Sequence, residues 1–143
     1  METHYRKLER MYVSANINKE IFHPTIKVSS GAAEISILVT EKLFHAAGAL
    51  HGAVSFKMLD DACFFSAQSA VEDVFVLTTK FTIEFFRPNT GGVIKSVGKF
   101  LGEKNGIFYS EALVFNDQGK EIAAGKGEFR RSKIKLAETP GYQ

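Results

Sequence analysis

One stretch, His51 to Ala70 (HGAVSFKMLDDACFFSAQSA), constrains the fold more than any other part of this 143-residue chain. It is long enough for roughly five helical turns. Val54, Phe56, Met58, Leu59, Ala62, Cys63, Phe64, Phe65 and Ala67 leave almost no side of that helix polar. A helix that is apolar all round belongs inside a protein and must be covered by something large.

The rest of the chain supplies the cover. Ala32 to Thr40 alternates and is β-branched, the pattern of a strand. From Val74 onward the signal is β throughout: Val74–Phe86, Val93–Leu101, Ile107–Phe115 and Glu121–Phe129. Turn residues separate them at Pro88–Gly92, Glu103–Gly106 and Asn116–Gly119, which suits an antiparallel meander. Ahead of these, Leu8, Met11 and Tyr12 form one stripe, so Tyr5–Ser14 is expected to be a short amphipathic helix. Asn16–Ser30, interrupted by Pro24, is expected to be a lead-in loop. The order strand, buried helix, then about four antiparallel strands predicts an α+β domain with a curved sheet wrapped around a central helix. Residues 1–143 are expected to form one such domain, with 1–30 as N-terminal helix and lead-in. A lone sheet of this kind leaves an edge uncovered, and pairing with a second copy is the natural remedy.

Composition removes several classes of function. A net charge of +2 is too mild to point to nucleic acid. One cysteine, Cys63, excludes an internal disulfide, and no Cys/His spacing suits a metal. No apolar run approaches the ~18 residues of a membrane span, and Met1–Met11 has no apolar leader segment. A soluble, cytoplasmic protein without metal or bound cofactor is the expectation. There is no G-x-S-x-G elbow, P-loop or G-x-G-x-x-G.

The residues that stand out are on the buried helix. Asp60 and Asp61 are adjacent acids about 100° apart around the axis, so they meet different surroundings. Lys57, three and four positions earlier, can reach either one. In a structural reading Lys57 pairs with Asp61 at a wet edge. In a functional reading Asp60, beside Leu59 and Phe56, lines an apolar cleft as base or nucleophile. His51 and Gly52 stand where the helix begins, and its unpaired N–H groups could stabilise a carbonyl oxygen that gains negative charge. His51 also reads as a simple cap. His51 and Asp60 lie nine residues apart, on roughly opposite sides of the helix. One site could use both only if a symmetric partner supplied one of them. His4 and His23 fall outside the regular pattern and read as surface residues, Cys63 as core filler, and Arg130, Arg131, Lys133 and Lys135 as a solvated basic tail. Phe56, Phe64, Phe65, Phe85 and Phe86 read mostly as core.

With these residues in view, Gly48–Asp60 (GALHGAVSFKMLD) resembles the motif of the phenylacetate-pathway type of hot-dog thioesterases. That motif has a Gly three before a His-Gly-Gly and an acid nine after the His. TIEFFRPNTGG, Thr82–Gly92, is similar as well, and the likeness runs over roughly Ala32–Lys133. The resemblance implies a hot-dog fold and hydrolysis of acyl-CoA thioesters, CoA being part of the substrate. It implies that Asp60 activates water or attacks the thioester, that Gly52 N–H polarises the carbonyl beside His51, and that Thr78 assists from a facing strand. It places Gly48 and Ala53 against the substrate and makes Arg130 and Arg131 candidates for the CoA phosphates. Independently of the resemblance, the opposed placement of His51 and Asp60 and the uncovered sheet edge predict a homodimer or dimer of dimers. Two positions depart from the motif: the second Gly is Ala53, and His45 stands where the family commonly has Asn. If His45 holds the water, its neutral imidazole would accept a hydrogen bond that imidazolium cannot. The competing functions on the same fold are a non-catalytic acyl-CoA or small aromatic-ligand binder and a dehydratase. The absence of a His within Gly52–Ala70 counts against the dehydratase.

Overall fold

A computed structural model describes residues 3–143. Helix α1 (His4–Ser14) opens the chain, capped by Thr3, whose hydroxyl accepts the Arg6 N–H. Its buried stripe is Leu8, Met11 and Tyr12, as the spacing predicts. A single wide π-type turn (Asn18–Phe22) follows and ends at His23, which takes the left-handed conformation and is exposed.

Strands β1 (Thr25–Ser29) and β2 (Ala32–Leu38) then pair antiparallel, with Ser29 opposite Ala32. The expected lead-in loop therefore contains a strand. Pro24 sits just before it rather than inside it. The hairpin closes on Ser30-Gly31, where Gly31 has a φ of +68°, a left-handed conformation that glycine takes without steric cost. β1 buries only Val28 fully, which is why its five residues carry so faint an apolar signal.

The long helix α2 covers Gly52–Gln68, and β3 (Val74–Phe85), β4 (Val93–Lys104), β5 (Ile107–Phe115) and β6 (Glu121–Lys135) follow. Glu103 and Lys104, expected in a turn, end β4, and the turn itself is Asn105-Gly106, both at positive φ. Arg130–Lys135, expected as a solvated tail, continue β6 and pair with β3, Arg130 opposite Leu77 and Arg131 opposite Val76. All pairings are antiparallel, and the strand order is β1-β2-β4-β5-β6-β3. The sheet is open, with β1 and β3 at its edges. Helix α2 touches every strand, so the sheet wraps its length. This is the α+β hot-dog arrangement that the motif implies.

The helix lies very close to the sheet because glycines face it. A Cβ on Gly98 would stand 2.2 Å from the carbonyl oxygen of Ala62, far inside van der Waals contact. The other end of α2 is fixed by Gln68, which is fully buried. Its Nε2 donates to the Val71 and Val74 carbonyls at 2.9 and 2.8 Å, and its Oε1 accepts the Val76 N–H at 2.9 Å. These three bonds set where β3 starts relative to α2. His4 adds a further tie, with one ring nitrogen 2.9 Å from the Gln68 carbonyl and the other 2.8 Å from the Tyr142 hydroxyl. His4 is therefore half-buried, not a free surface residue, because the C-terminal Tyr142 packs against it. Among the described residues no helix is long and apolar enough to cross a membrane.

Candidate active site

The tie at Gln68 brings the middle of α2 against β3, and there Thr78 Oγ1 donates to Asp60 Oδ1 at 2.8 Å. Asp60 is half-buried, flanked on α2 by Leu59 and Phe64. Burial pushes its carboxyl up to about 6. The Thr78 hydrogen bond pulls the other way, the Asp61 charge pushes further up, and Lys57 pulls down. A carboxyl in that range is a carboxylate at neutral pH yet basic enough to take a proton.

Asp61 has a separate environment. Its Oδ2 accepts from Lys57 Nζ at 2.5 Å and from the Tyr12 hydroxyl at 2.6 Å. The Lys57 ammonium also lies 5.0 Å from the centre of the Tyr12 ring and 4.9 Å from that of Phe22. The Lys57 and Asp61 side chains are only 15% and 20% exposed, so this pair sits under α1 and not at a wet edge. Helix α1 covers what the sequence pattern left open.

Asp60 and Thr78 open onto a trough of about 310 Å³. One stripe of α2 forms its floor, the start of β3 one wall, and the end of α1 with the π turn the other. Phe64 and Phe65 are buried beside it, whereas Phe56, Phe85 and Phe86 are substantially exposed, contrary to a purely core role. Cys63 is fully buried, and burial raises its thiol, as core filler requires.

The N-terminus of α2 makes a second locus. His51 caps the helix, its Nδ1 accepting the Ala53 N–H at 2.9 Å, while Val54 N–H bonds to the His51 carbonyl. Gly52 N–H finds no acceptor among the described residues. The entry of the chain is clamped by His51 N–H to Leu43 O and by Leu50 N–H to the carbonyl of Asn89, both at 2.8 Å. The Thr82–Gly92 segment thus serves the helix start, and the Phe85 ring lies over Gly52, where a Cβ would be 3.2 Å from it. His45 belongs to a tight loop: its Nδ1 accepts the Ala47 N–H at 3.1 Å, and its carbonyl accepts the N–H of Gly48, which has a φ of +86°. With Nδ1 spent on the loop, the neutral ring has Nε2–H left, a donor and not the acceptor considered above. His45, Gly52, Phe85 and Asn89 line a second cavity of about 450 Å³.

Within one chain the structure brings Asp60 to Thr78, and His45, Gly48 and His51 to the helix start at Gly52, but Asp60 and Thr78 line one cavity and His45 and Gly52 another. Arg131 is engaged by Asp73 through two short contacts of 2.6 and 2.5 Å, and its neighbour Arg130 is exposed beside β3. Sequence reasoning missed Tyr12 as a partner of Asp61 and Gln68 as the tie between α2 and β3. A lone Gln ending an apolar helix was the available signal for the second. Among the described residues no group of three or more His, Cys, Asp or Glu side chains gathers into a metal site.

The sequence model of the thioesterase superfamily matches residues 47–123, a little over half of the chain. The chain belongs to that superfamily. The matched span contains Gly48, His51, Gly52, Ala53, Asp60 and Thr78, so the acid, its hydroxyl partner and the helix start of this thioesterase superfamily member fall inside it, while His45 lies just before it. Solved structures agree on the fold. The E. coli PaaI protein from the phenylacetic acid degradation operon superposes with a TM-score of 0.81 at 19% identity, covering 94% of this chain and 99% of that one. A thioesterase from Haemophilus influenzae gives 0.79 at 14% identity, covering 90% and 91%. A phenylacetic acid degradation-related protein from Ralstonia eutropha gives 0.77 at 17%, covering 90% and 99%. No curated protein matches the chain. Thioester hydrolysis is the general chemistry that this membership supports.

Proposed function

We propose that this superfamily member hydrolyses acyl-CoA thioesters, with Asp60 as general base or nucleophile, in a site completed by a second copy of the chain. The observation that carries the reading is the Asp60 carboxylate, set in an apolar trough with a raised pKa and held by Thr78. The same chain leaves Gly52 N–H, at the positive end of α2, without an acceptor in another cavity. A two-fold partner can bring its helix start to this chain's Asp60, which gives the acid an oxyanion donor. The surface available for such pairing is the free edge of β3, where Leu77, Phe85 and Phe86 are 46%, 58% and 48% exposed.

As general base, ionised Asp60 takes a proton from water while the oxygen adds to the thioester carbonyl carbon. The carbonyl oxygen, now negative, is held by the partner copy's Gly52 N–H. Collapse of the adduct breaks the C–S bond, and the proton on Asp60 passes to the departing sulfur. As nucleophile, Asp60 would add to the carbonyl carbon and expel CoA thiolate with cleavage of the C–S bond, the thiolate taking a proton from solvent. Water would then open the mixed anhydride to free acid and Asp60. Single-turnover hydrolysis in ¹⁸O-water separates the two, because only the anhydride route can place label in Asp60. In either route Thr78 keeps one carboxylate oxygen aimed. Arg130, free of the pairing that engages Arg131, meets the CoA phosphates in this reading. Thiol release from a panel of acyl-CoAs tests the proposal: wild type should turn over and Asp60→Asn should lose about 10²–10⁴ in kcat/KM. An Asp60→Asn protein with near-wild-type kcat/KM would remove Asp60 from the mechanism.

A further inference from the structure

The trough beside Asp60 has an unusual far wall. Its floor and near wall come from α2 and β3, but the wall facing Asp60 and Thr78 is built by the first helix and the turn after it, through Met11, Tyr12, Ala15 and Ile17. Tyr12 is the rigid member. It is 6% exposed, its ring stacks edge-on against Phe65 with centroids 5.0 Å apart, and its hydroxyl donates to Asp61. Lys57 bridges the same hydroxyl, at 3.3 Å, and Asp61. A ring pinned at both its face and its phenol cannot swing aside for a larger ligand without breaking the hydrogen bonds that tie its hydroxyl to Asp61 and Lys57. Ala15 and Ile17, by contrast, are exposed at the rim.

Resting on the acyl-CoA reading above, we propose that Tyr12 sets the acyl specificity, closing the trough so that it takes a compact, uncharged acyl group. Size follows from the volume: about 310 Å³ is at the small end of the range for ligand pockets, roughly 300–1,000 Å³. Charge follows from the pairing. Lys57 is neutralised by Asp61, so above pH 6 the three groups Asp60, Asp61 and Lys57 sum to a negative charge, and an acyl tail ending in a carboxylate is repelled. Tyr12 touches the acyl group and takes no part in the chemical step.

The test compares kcat/KM for straight-chain acyl-CoAs from acetyl to dodecanoyl, phenylacetyl-CoA and succinyl-CoA. Wild type should favour compact neutral acyl groups over dodecanoyl and over succinyl by at least tenfold. Tyr12→Leu, which removes the ring and the phenol but keeps apolar bulk, should raise the ratio of dodecanoyl to butyryl at least tenfold. Ala15→Phe, at an exposed rim position that puts no strain on folding, should shift the ratio the other way. Tyr12→Phe keeps the ring and should keep the wild-type ranking of acyl groups. Wild-type turnover that is indifferent to chain length, or Tyr12→Leu and Ala15→Phe proteins whose rates change equally for every substrate, would overturn the role of Tyr12 while leaving the hydrolase reading intact. Wild type inert on every thioester would overturn both.

Discussion

Asp60→Asn should do two opposite things at once, and the size of the second follows from the site. The carboxyl is raised from 3.8 to about 6, so the folded chain binds its proton more tightly than the unfolded chain does. Ionising Asp60 therefore opposes folding. That cost is complete above about pH 6 and fades as the pH falls toward the unfolded value. About two pH units correspond to roughly 3 kcal/mol, and partial contact with solvent reduces this to about 1.5–3 kcal/mol at pH 8. By the same linkage about 1 kcal/mol or less remains at pH 4.5. Asparagine keeps an oxygen to accept the Thr78 hydroxyl but carries no charge. Urea unfolding at fixed protein concentration should show Asp60→Asn more stable than wild type by about 1.5–3 kcal/mol at pH 8, and by under about 1 kcal/mol at pH 4.5. Hydrolysis should be nearly abolished at both. For wild type, kcat/KM should rise about tenfold per pH unit below 6 and level above it. An Asp60→Asn protein whose stability gain is the same at both pH values, or which is less stable at pH 8, would refute the desolvated-carboxylate account.

The remaining predictions concern how the site is assembled. Gly52→Pro should remove the helix-start N–H with little damage to the fold, since proline suits the first helical position and His51 already has the extended backbone that precedes one. It should lower kcat about 10²-fold or more. Mixing it with Asp60→Asn subunits under exchange conditions should restore part of the activity through hybrid dimers, and no recovery in verified hybrids would argue against a shared site. Gln68→Leu orphans the Val76 N–H and two carbonyls, at ~1–3 kcal/mol per buried group, so chemical denaturation should show a loss of several kcal/mol. Unchanged stability would mean that Gln68 does not tie α2 to β3. Gly98→Ala forces a methyl into the Ala62 carbonyl and should cost about 1–3 kcal/mol or more, whereas a neutral result would show that the helix can lift off the sheet freely.

The sequence was most legible where one pattern had a single physical solution. An all-apolar helix needs a sheet around it, and both the helix and the strands after it fell within a few residues of expectation. β1 was illegible because an edge strand of five residues buries so little that its alternation is drowned by Pro24 and the polar residues around it. The end of β6 was misread for a related reason: Arg130, Arg131, Lys133 and Lys135 look like a tail because nothing local says that β3 returns to pair with them. At the site, the separation of Asp60 from Asp61 was readable from helical geometry, and so was the distance between Asp60 and the helix start. The burial of the Lys57–Asp61 pair was not, since it depends on Tyr12 arriving from a helix 45 residues earlier. Spacing along one helix reveals which side chains diverge, not what meets them.

The strand order has a consequence for how the site comes into being. β3 follows α2 directly in the chain, yet among the described residues its sole strand partner is β6, the last of the six strands in chain order. Thr78 sits opposite Phe129, 51 residues downstream, so the wall that presents Thr78 to Asp60 is anchored only after a long loop closes. A chain ending before Glu121 owns every residue of the acid–hydroxyl pair and lacks the strand that aligns them. Competence is thus withheld until β6 has been made, and loss of that strand would silence the acid without altering it.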